Sequence, residues 1–196
     1  MISRYPVPDL DTIPADLADR IREIVAKTGF VPNVFLALAH RPAELRAFMA
    51  YHDAVMERSD GLSKAEREMI VVATSAQRSC TYCVVAHGAI LRIRARDPRI
   101  ADWLAINYRK APISRRQRAM LDYAVKLSTV PEEVGEEDLV ELHAAGFGEE
   151  EIWDIAAVVA LFALSNRMAL AIDLQPNEEF FLMGRLPRPE VGAEGG

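Results

Sequence analysis

Cysteine is scarce in this chain: two residues in 196, Cys80 and Cys83, three positions apart. Two such neighbours cannot staple a small secreted fold, and Met1 to Leu10 has no apolar segment of the kind a signal peptide needs. The pair is therefore expected in an intracellular, cytoplasmic setting, where C-x-x-C points to redox or metal chemistry. Excess positive charge is also missing. The formal net charge is -6, against the basic face that nucleic acid would require. Arginines gather locally, at Arg92, Arg94, Arg96 and Arg99 and at Arg115, Arg116 and Arg118, and are read as helix ends or solvated faces. Long hydrophobic runs are lacking too. The longest, Ile155 to Leu164, is about half of the ~20 residues a membrane span needs and is read as a buried helix. No alternating strand pattern is flanked by turn signals. No membrane or nucleic-acid partner is expected.

What is present is helical punctuation. An amphipathic run from about Asp16 to Thr28 stops at Gly29, and Val31-Pro32-Asn33 turns the chain. Pro42 suits the first turn of a helix over Ala43 to about Arg58, since a proline there loses no needed hydrogen bond. Ser63-Lys64-Ala65-Glu66 reads as a capping box opening a helix to about Gln77. Ser79 is the expected N-cap of a helix carrying Cys80, Cys83 and His87 to about Arg96. Asp97-Pro98 closes that helix and starts another through Trp103, and Ser114 caps a helix ending near Ser128. Pro131 to Glu137 reads as a linker. Gly146 and Gly148 separate two further helices, the last running from Glu149 to about Leu174 and apolar around much of its circumference, as in a core helix or one covered by another subunit. The fold class is all-α, a helical bundle. One domain over 1–186 is expected, with a helical extension over 1–60 and a catalytic helical core over 61–175. A disordered, Pro/Gly-rich tail is expected over 187–196. A faint repeat aligns Leu62 to Ile70 with Ile113 to Leu121. Glu68 has Ala119 as its counterpart, and Cys80, Cys83 and His87 have Pro131, Val134 and Asp138. If the repeat is real, only the first copy carries chemistry.

At about 100° per residue, Cys83 lies roughly 60° and His87 roughly 20° behind Cys80, so the three share one helical stripe. A helix N-terminus favours thiolate, the reactive form. Glu68 and His87 lie at nearly equal distances from the bend at 77–79, which brings them to the same height on a helical hairpin. Glu68 precedes an apolar stretch in which a lone carboxylate is costly, so a Glu68–His87 hydrogen bond is expected.

The spacing of Glu68, Cys80, Cys83 and His87 resembles the active-site pattern of alkyl hydroperoxidase D proteins, within the carboxymuconolactone decarboxylase-like superfamily. Leu62-Ser63, Glu66-Arg67-Glu68, Cys80-Thr81-Tyr82-Cys83, His87-Gly88 and Asn166-Arg167 resemble its peroxidase-related branch. The specific part covers residues 62–88; a weaker helical likeness runs from about Pro32 to Leu174. The resemblance implies an all-helical homo-oligomer and thiol-dependent reduction of hydroperoxides by an external thiol or dithiol. Cys83 would attack, Cys80 would be its proton donor and disulfide partner, and Glu68 and His87 would relay protons. The pattern departs at Tyr82, where the classical enzyme has a second histidine, and a tyrosine is a poor base at neutral pH.

Rival readings of the pair are a zinc site completed by His52 or His143, simple core packing, a non-enzymatic redox sensor, a general thiol–disulfide oxidoreductase, and a decarboxylase of the wider superfamily. Three ligands on one stripe make an awkward tetrahedron, so no metal and no resident cofactor are expected. Haem attachment fails because Val84 follows Cys83. His40, His52 and His143 are read as surface or structural. Trp103, Trp153 and Phe162 are read as core or interface packing, and Asp154 and Asp173 as buried partners of arginines such as Arg167.

Overall fold

The computed structural model describes residues 1–185. The tail expected over 187–196 lies outside them. Among the described residues all regular structure is helical. In chain order the helices are α1 (Ala15–Thr28), α2 (Asn33–Leu38), α3 (Pro42–Met56), α4 (Lys64–Gln77), α5 (Thr81–Ala95), α6 (Ile100–Asn107), α7 (Arg115–Thr129), α8 (Glu136–Ala144), α9 (Glu149–Ala171) and α10 (Glu179–Leu182).

Local chemistry sets most of these boundaries. Gly29 ends α1 in the left-handed region at φ 85°, which a glycine adopts without a Cβ penalty. Pro42 opens α3. Ser63 and Glu66 form the capping box of α4, and Ser114 and Gln117 form that of α7, so the two aligned segments are capped alike. The likeness extends to an arginine one turn on. Arg67 donates to the Asp60 carbonyl and Arg118 to the Ala111 carbonyl, each reaching back to the loop before its helix.

Three places differ from the sequence reading. The turn at Val31–Asn33 leads directly into the short helix α2, with Pro32 as its N-cap; six residues of helix are too few to show a period. Ser79 is not the N-cap of α5. It sits at φ 54°, and Cys80 is the N-cap, which makes Cys83 the third helical residue. The linker at 131–137 holds a turn of 3₁₀ helix and then the start of α8.

The main core lies between α4, α6, α7 and α9, with Ile70, Val71, Ala73, Leu104, Met120, Leu121, Ile155 and Val158 fully enclosed. A second cluster, on α1 and α3, includes Ile13, Leu17, Ile21, Leu45 and Met49. A third gathers Cys80, Tyr82, Cys83 and Ala86 with the end of α9 and Phe180. By length and composition alone, α9 is apolar enough to cross a membrane. Here one side of it packs on α3, α4, α5 and α7. Its other side leaves Trp153, Leu164 and Leu170 exposed. Trp153 and Trp103 are thus surface residues, whereas Phe162 is buried.

Asp154 is the buried partner of an arginine, as read from the sequence, but the arginine is Arg67 rather than Arg167. Asp154 is bound by buried Arg67 at 2.6 Å and by Arg58 at 3.3 Å, while Arg167 folds back on the Ala163 carbonyl. Arg67 is four positions from Ser63, on the inward face of α4, and so meets Asp154 on the inward face of α9. Asp173 is exposed just beyond α9. Nor are the arginine clusters simply solvated faces. Arg92 is buried and holds the Met183 and Phe180 carbonyls. Arg116 stacks on Phe147 and bridges Glu66 to Glu151.

Candidate active site

The α4–α5 hairpin brings Glu68 and His87 together as their distances from the bend require. His87 Nδ1 lies 2.7 Å from Glu68 Oε2, and Glu68 is 2 % exposed. The other carboxylate oxygen of Glu68 accepts from Arg94 Nη1 at 3.1 Å. Arg94 also binds Glu57, which pairs with Lys64. Two partners offset the desolvation of the buried carboxylate. With Nδ1 engaged, Nε2 is the imidazole nitrogen left for chemistry. The ring is fixed further by an edge-on contact with Phe162, centroids 4.6 Å apart.

One turn before His87, the two thiols are free and buried, with their sulfurs 2.8 Å apart. Each cysteine has its own environment. The Cys83 S–H facing Cys80 holds the Cys80 thiol below the ordinary range, against the effect of burial. Cys83 is pushed up, first by that same contact and then by burial, while the Ser165 hydroxyl from α9 acts the other way. Of the two thiols Cys80 is therefore the one that ionises first, and the proton of Cys83 is the harder to remove.

Tyr82, at the position of the missing histidine, is buried, and burial pushes its phenol up. Its hydroxyl accepts from the Val34 backbone N–H at 3.2 Å, so it fastens α5 to the start of α2. Asn166, also quoted in the resemblance, is buried and accepts from Ser75 at 2.9 Å, which ties α9 to α4 behind the site.

Cys83 and His87 open together on a cavity of about 490 Å3 between α1, α2, α3, α5 and α9. Phe35, Phe48, Met49, Ile90 and Phe162 give it apolar walls, and Arg20, Lys27, Asp53 and Arg94 supply charge. His52, read from the sequence as structural, also lines this cavity. Burial and then the charge of His87 lower its pKa, so its imidazole stays neutral to lower pH than usual. Nothing in the sequence around His52 marks it, because it comes from α3, remote in the chain. His143 lies elsewhere, at the end of α8, where it meets the Phe147 carbonyl. Among the described residues no three His, Cys, Asp or Glu side chains are grouped to hold a metal.

The carboxymuconolactone decarboxylase family profile matches residues 42–109, which include all four residues of the site. No curated protein matches the chain. Among solved structures it is similar to a protein from Ralstonia eutropha JMP134 described as an alkylhydroperoxidase AhpD core and uncharacterized peroxidase-related protein. That match has 61 % identity and a TM-score of 0.94, and covers 96 % of this chain and 99 % of the other. A peroxidase-related protein from Silicibacter sp. TM1040 matches at 39 % identity and a TM-score of 0.89, covering 94 % and 96 %. The debrominase Bmp8, solved in complex with 2,3,4-tribromopyrrole, shares the fold at 21 % identity and a TM-score of 0.76, covering 92 % and 93 %. With these likenesses spanning nearly its whole length, the chain belongs to the alkylhydroperoxidase AhpD-like, peroxidase-related group of the carboxymuconolactone decarboxylase family.

Proposed function

We propose that this protein is a thiol-dependent peroxidase that reduces organic hydroperoxides with the Cys80/Cys83 pair. One observation carries the reading: Cys83 and the Glu68-bonded His87 open on the same apolar-walled cavity, with Cys80 in sulfur contact behind. Attack begins when Cys83 passes its proton across the 2.8 Å contact to Cys80. The Cys83 thiolate takes the terminal oxygen of ROOH, and the O–O bond breaks. Cys83 becomes a sulfenic acid, and the leaving alkoxide takes a proton through His87. Cys80 then gives its proton to His87 and attacks the Cys83 sulfur, releasing water and forming the disulfide. An external thiol or dithiol returns the two electrons. Glu68 fixes the imidazole through Nδ1 and is a positioning residue for that relay. The protein is proposed to act in the cytoplasm as a homo-oligomer, with no resident cofactor.

The test is titration of reduced protein with stoichiometric cumene hydroperoxide and mass mapping of the thiols. Fast loss of both as one Cys80–Cys83 disulfide, abolished in Cys83→Ser, is expected. Glu68→Gln should keep both thiols yet slow this step about 10²-fold, in the range of a positioned proton-transfer group. Loss no faster than a free-thiol control would overturn the peroxidase reading. Turnover with a protein disulfide in place of peroxide would then identify a thiol–disulfide oxidoreductase. A disulfide that forms without turnover would identify a sensor.

A further inference from the structure

The two sulfurs face different spaces. Cys80 lines a separate cavity of about 120 Å3, to which Cys83 does not contribute, so a molecule in the large cavity meets Cys83. On α3, Phe48, Met49, His52 and Asp53 form one helical stripe that walls the large cavity. His52 is 28 % exposed there, and its ring has hydrogen-bonding capacity to spare. Asp53 Oδ1 lies 3.6 Å from Nδ1, beyond hydrogen-bond length, and the other oxygen of that carboxylate is held by Arg20 at 2.8 Å.

The other polar groups of the cavity are engaged or distant from the sulfur. Arg94 is bound by Glu68 and Glu57, and Arg20 by Glu23 as well as Asp53. Thr28 donates to backbone carbonyls, and Lys27 stands exposed. The Ser165 hydroxyl acts on Cys83 itself, and the Tyr82 hydroxyl is turned to the Val34 N–H. Two imidazoles are left to face a bound molecule: His87, through Nε2, and His52 from α3. An apolar-walled cavity with a few placed polar groups is the pattern of a site that orients its ligand.

We propose that His52 is a catalytic residue of the hydroperoxide step, donating a hydrogen bond to the leaving oxygen of ROOH while Cys83 attacks the terminal one. The inference rests on the peroxidase reading of Cys83. The Cys83 thiolate bonds to the terminal oxygen, the O–O bond breaks, and its electron pair leaves on the oxygen that carries R. That oxygen takes its proton through His87 and accepts the His52 N–H while its charge builds. His52 keeps its own proton throughout. The sulfur is oxidised by two electrons to the sulfenic acid, and ROOH is reduced by two to ROH.

A neutral imidazole suits this task. Burial and the charge of His87 outweigh the pull of Glu68 and Asp53, so His52 stays uncharged and no second imidazolium is forced beside the first. A fixed N–H dipole in a site with apolar walls stabilises charge that develops only in the transition state.

The experiment varies the leaving group at similar molecular size. Stopped-flow oxidation of the reduced protein is followed with cumene hydroperoxide, which releases a strongly basic alkoxide, and with perbenzoic acid, which releases weakly basic benzoate. His52→Ala should slow the first reaction about 10²-fold, as loss of one donor to a developing oxyanion does, and leave the second near the wild-type rate. His52→Gln keeps an N–H donor and should recover about tenfold of that loss. A packing role would slow both oxidants alike. Equal slowing, or a wild-type rate with cumene hydroperoxide in His52→Ala, overturns the proposal and leaves the peroxidase reading standing. A wild type that cumene hydroperoxide oxidises no faster than a free-thiol control removes that reading, and this inference with it.

Discussion

Cys80 and Cys83 differ because of what each faces. In the neutral pair the Cys80 S–H donates to Cys83 across 2.8 Å; once Cys80 ionises it receives the S–H of Cys83, which is deeply enclosed. Losing that donor should raise the Cys80 pKa. Cys83→Ala is expected to move the pH titration of thiolate ultraviolet absorbance upward relative to Cys83→Ser, whose hydroxyl still donates. Equal midpoints in the two variants would mean that the contact does not tune Cys80. A second residue-scale prediction concerns Asp154, buried against Arg67. Arg67 Nε and Nη1 have no hydrogen-bond partner, so this guanidinium depends on Asp154 and the Asp60 carbonyl. Asp154→Ala leaves a buried charge unpaired and should cost about 3–5 kcal/mol in denaturant unfolding. Gly61 completes the arrangement: a Cβ there would come within 2.5 Å of Asp154 Oδ2, so Gly61→Ala should also destabilise.

Between elements, the turn from α4 to α5 decides where the thiols sit. Ser79 is held in the left-handed region at φ 54°, which costs an L-residue roughly 1–2 kcal/mol. The turn it makes lets the Cys80 N–H reach the Ser75 carbonyl at 3.1 Å, and so starts α5 at Thr81. Ser79→Gly should relieve that strain and raise stability by about 1 kcal/mol, measured by thermal or denaturant unfolding, with the site's thiol chemistry unaltered. A loss of stability would show that the serine side chain has a role the backbone does not explain. The matched capping boxes at Ser63 and Ser114, each followed by an arginine that reaches back to the preceding loop, give the internal repeat a structural basis. The second copy has Ala119 where the first has Glu68. Its α8 carries Asp138, bound to Lys126 at 2.7 Å and contributing to a cap at Gly135, in place of the histidine.

At the scale of the whole molecule, α9 leaves one apolar side open. Leu164 is 54 % exposed, and with Tyr51, Phe48 and Met168 it lines an apolar groove of about 360 Å3 between α3 and α9. Exposed apolar surface of this kind marks an interaction site. In the homo-oligomer proposed above, a second copy buries it. Leu164→Glu should shift the sedimentation-equilibrium mass toward that of one chain. A wild type that already sediments as one chain at all concentrations would refute the oligomer.

The sequence by itself determined the helical class, the capping of α4 and α7, and the meeting of Glu68 with His87. Those features are local or follow from counting residues along one hairpin, and periodicity and caps record local geometry directly. The tertiary structure alone decided the rest. It brought Arg67 rather than Arg167 to Asp154, Arg94 to Glu68, and His52 to the cavity of Cys83. It also exposed Trp103 and Trp153 and divided the two thiols between separate cavities. Each of these depends on how faces of helices far apart in the chain turn toward one another. The spacing of residues within a single helix does not encode that rotation; the packing of α3, α4, α5 and α9 against each other does.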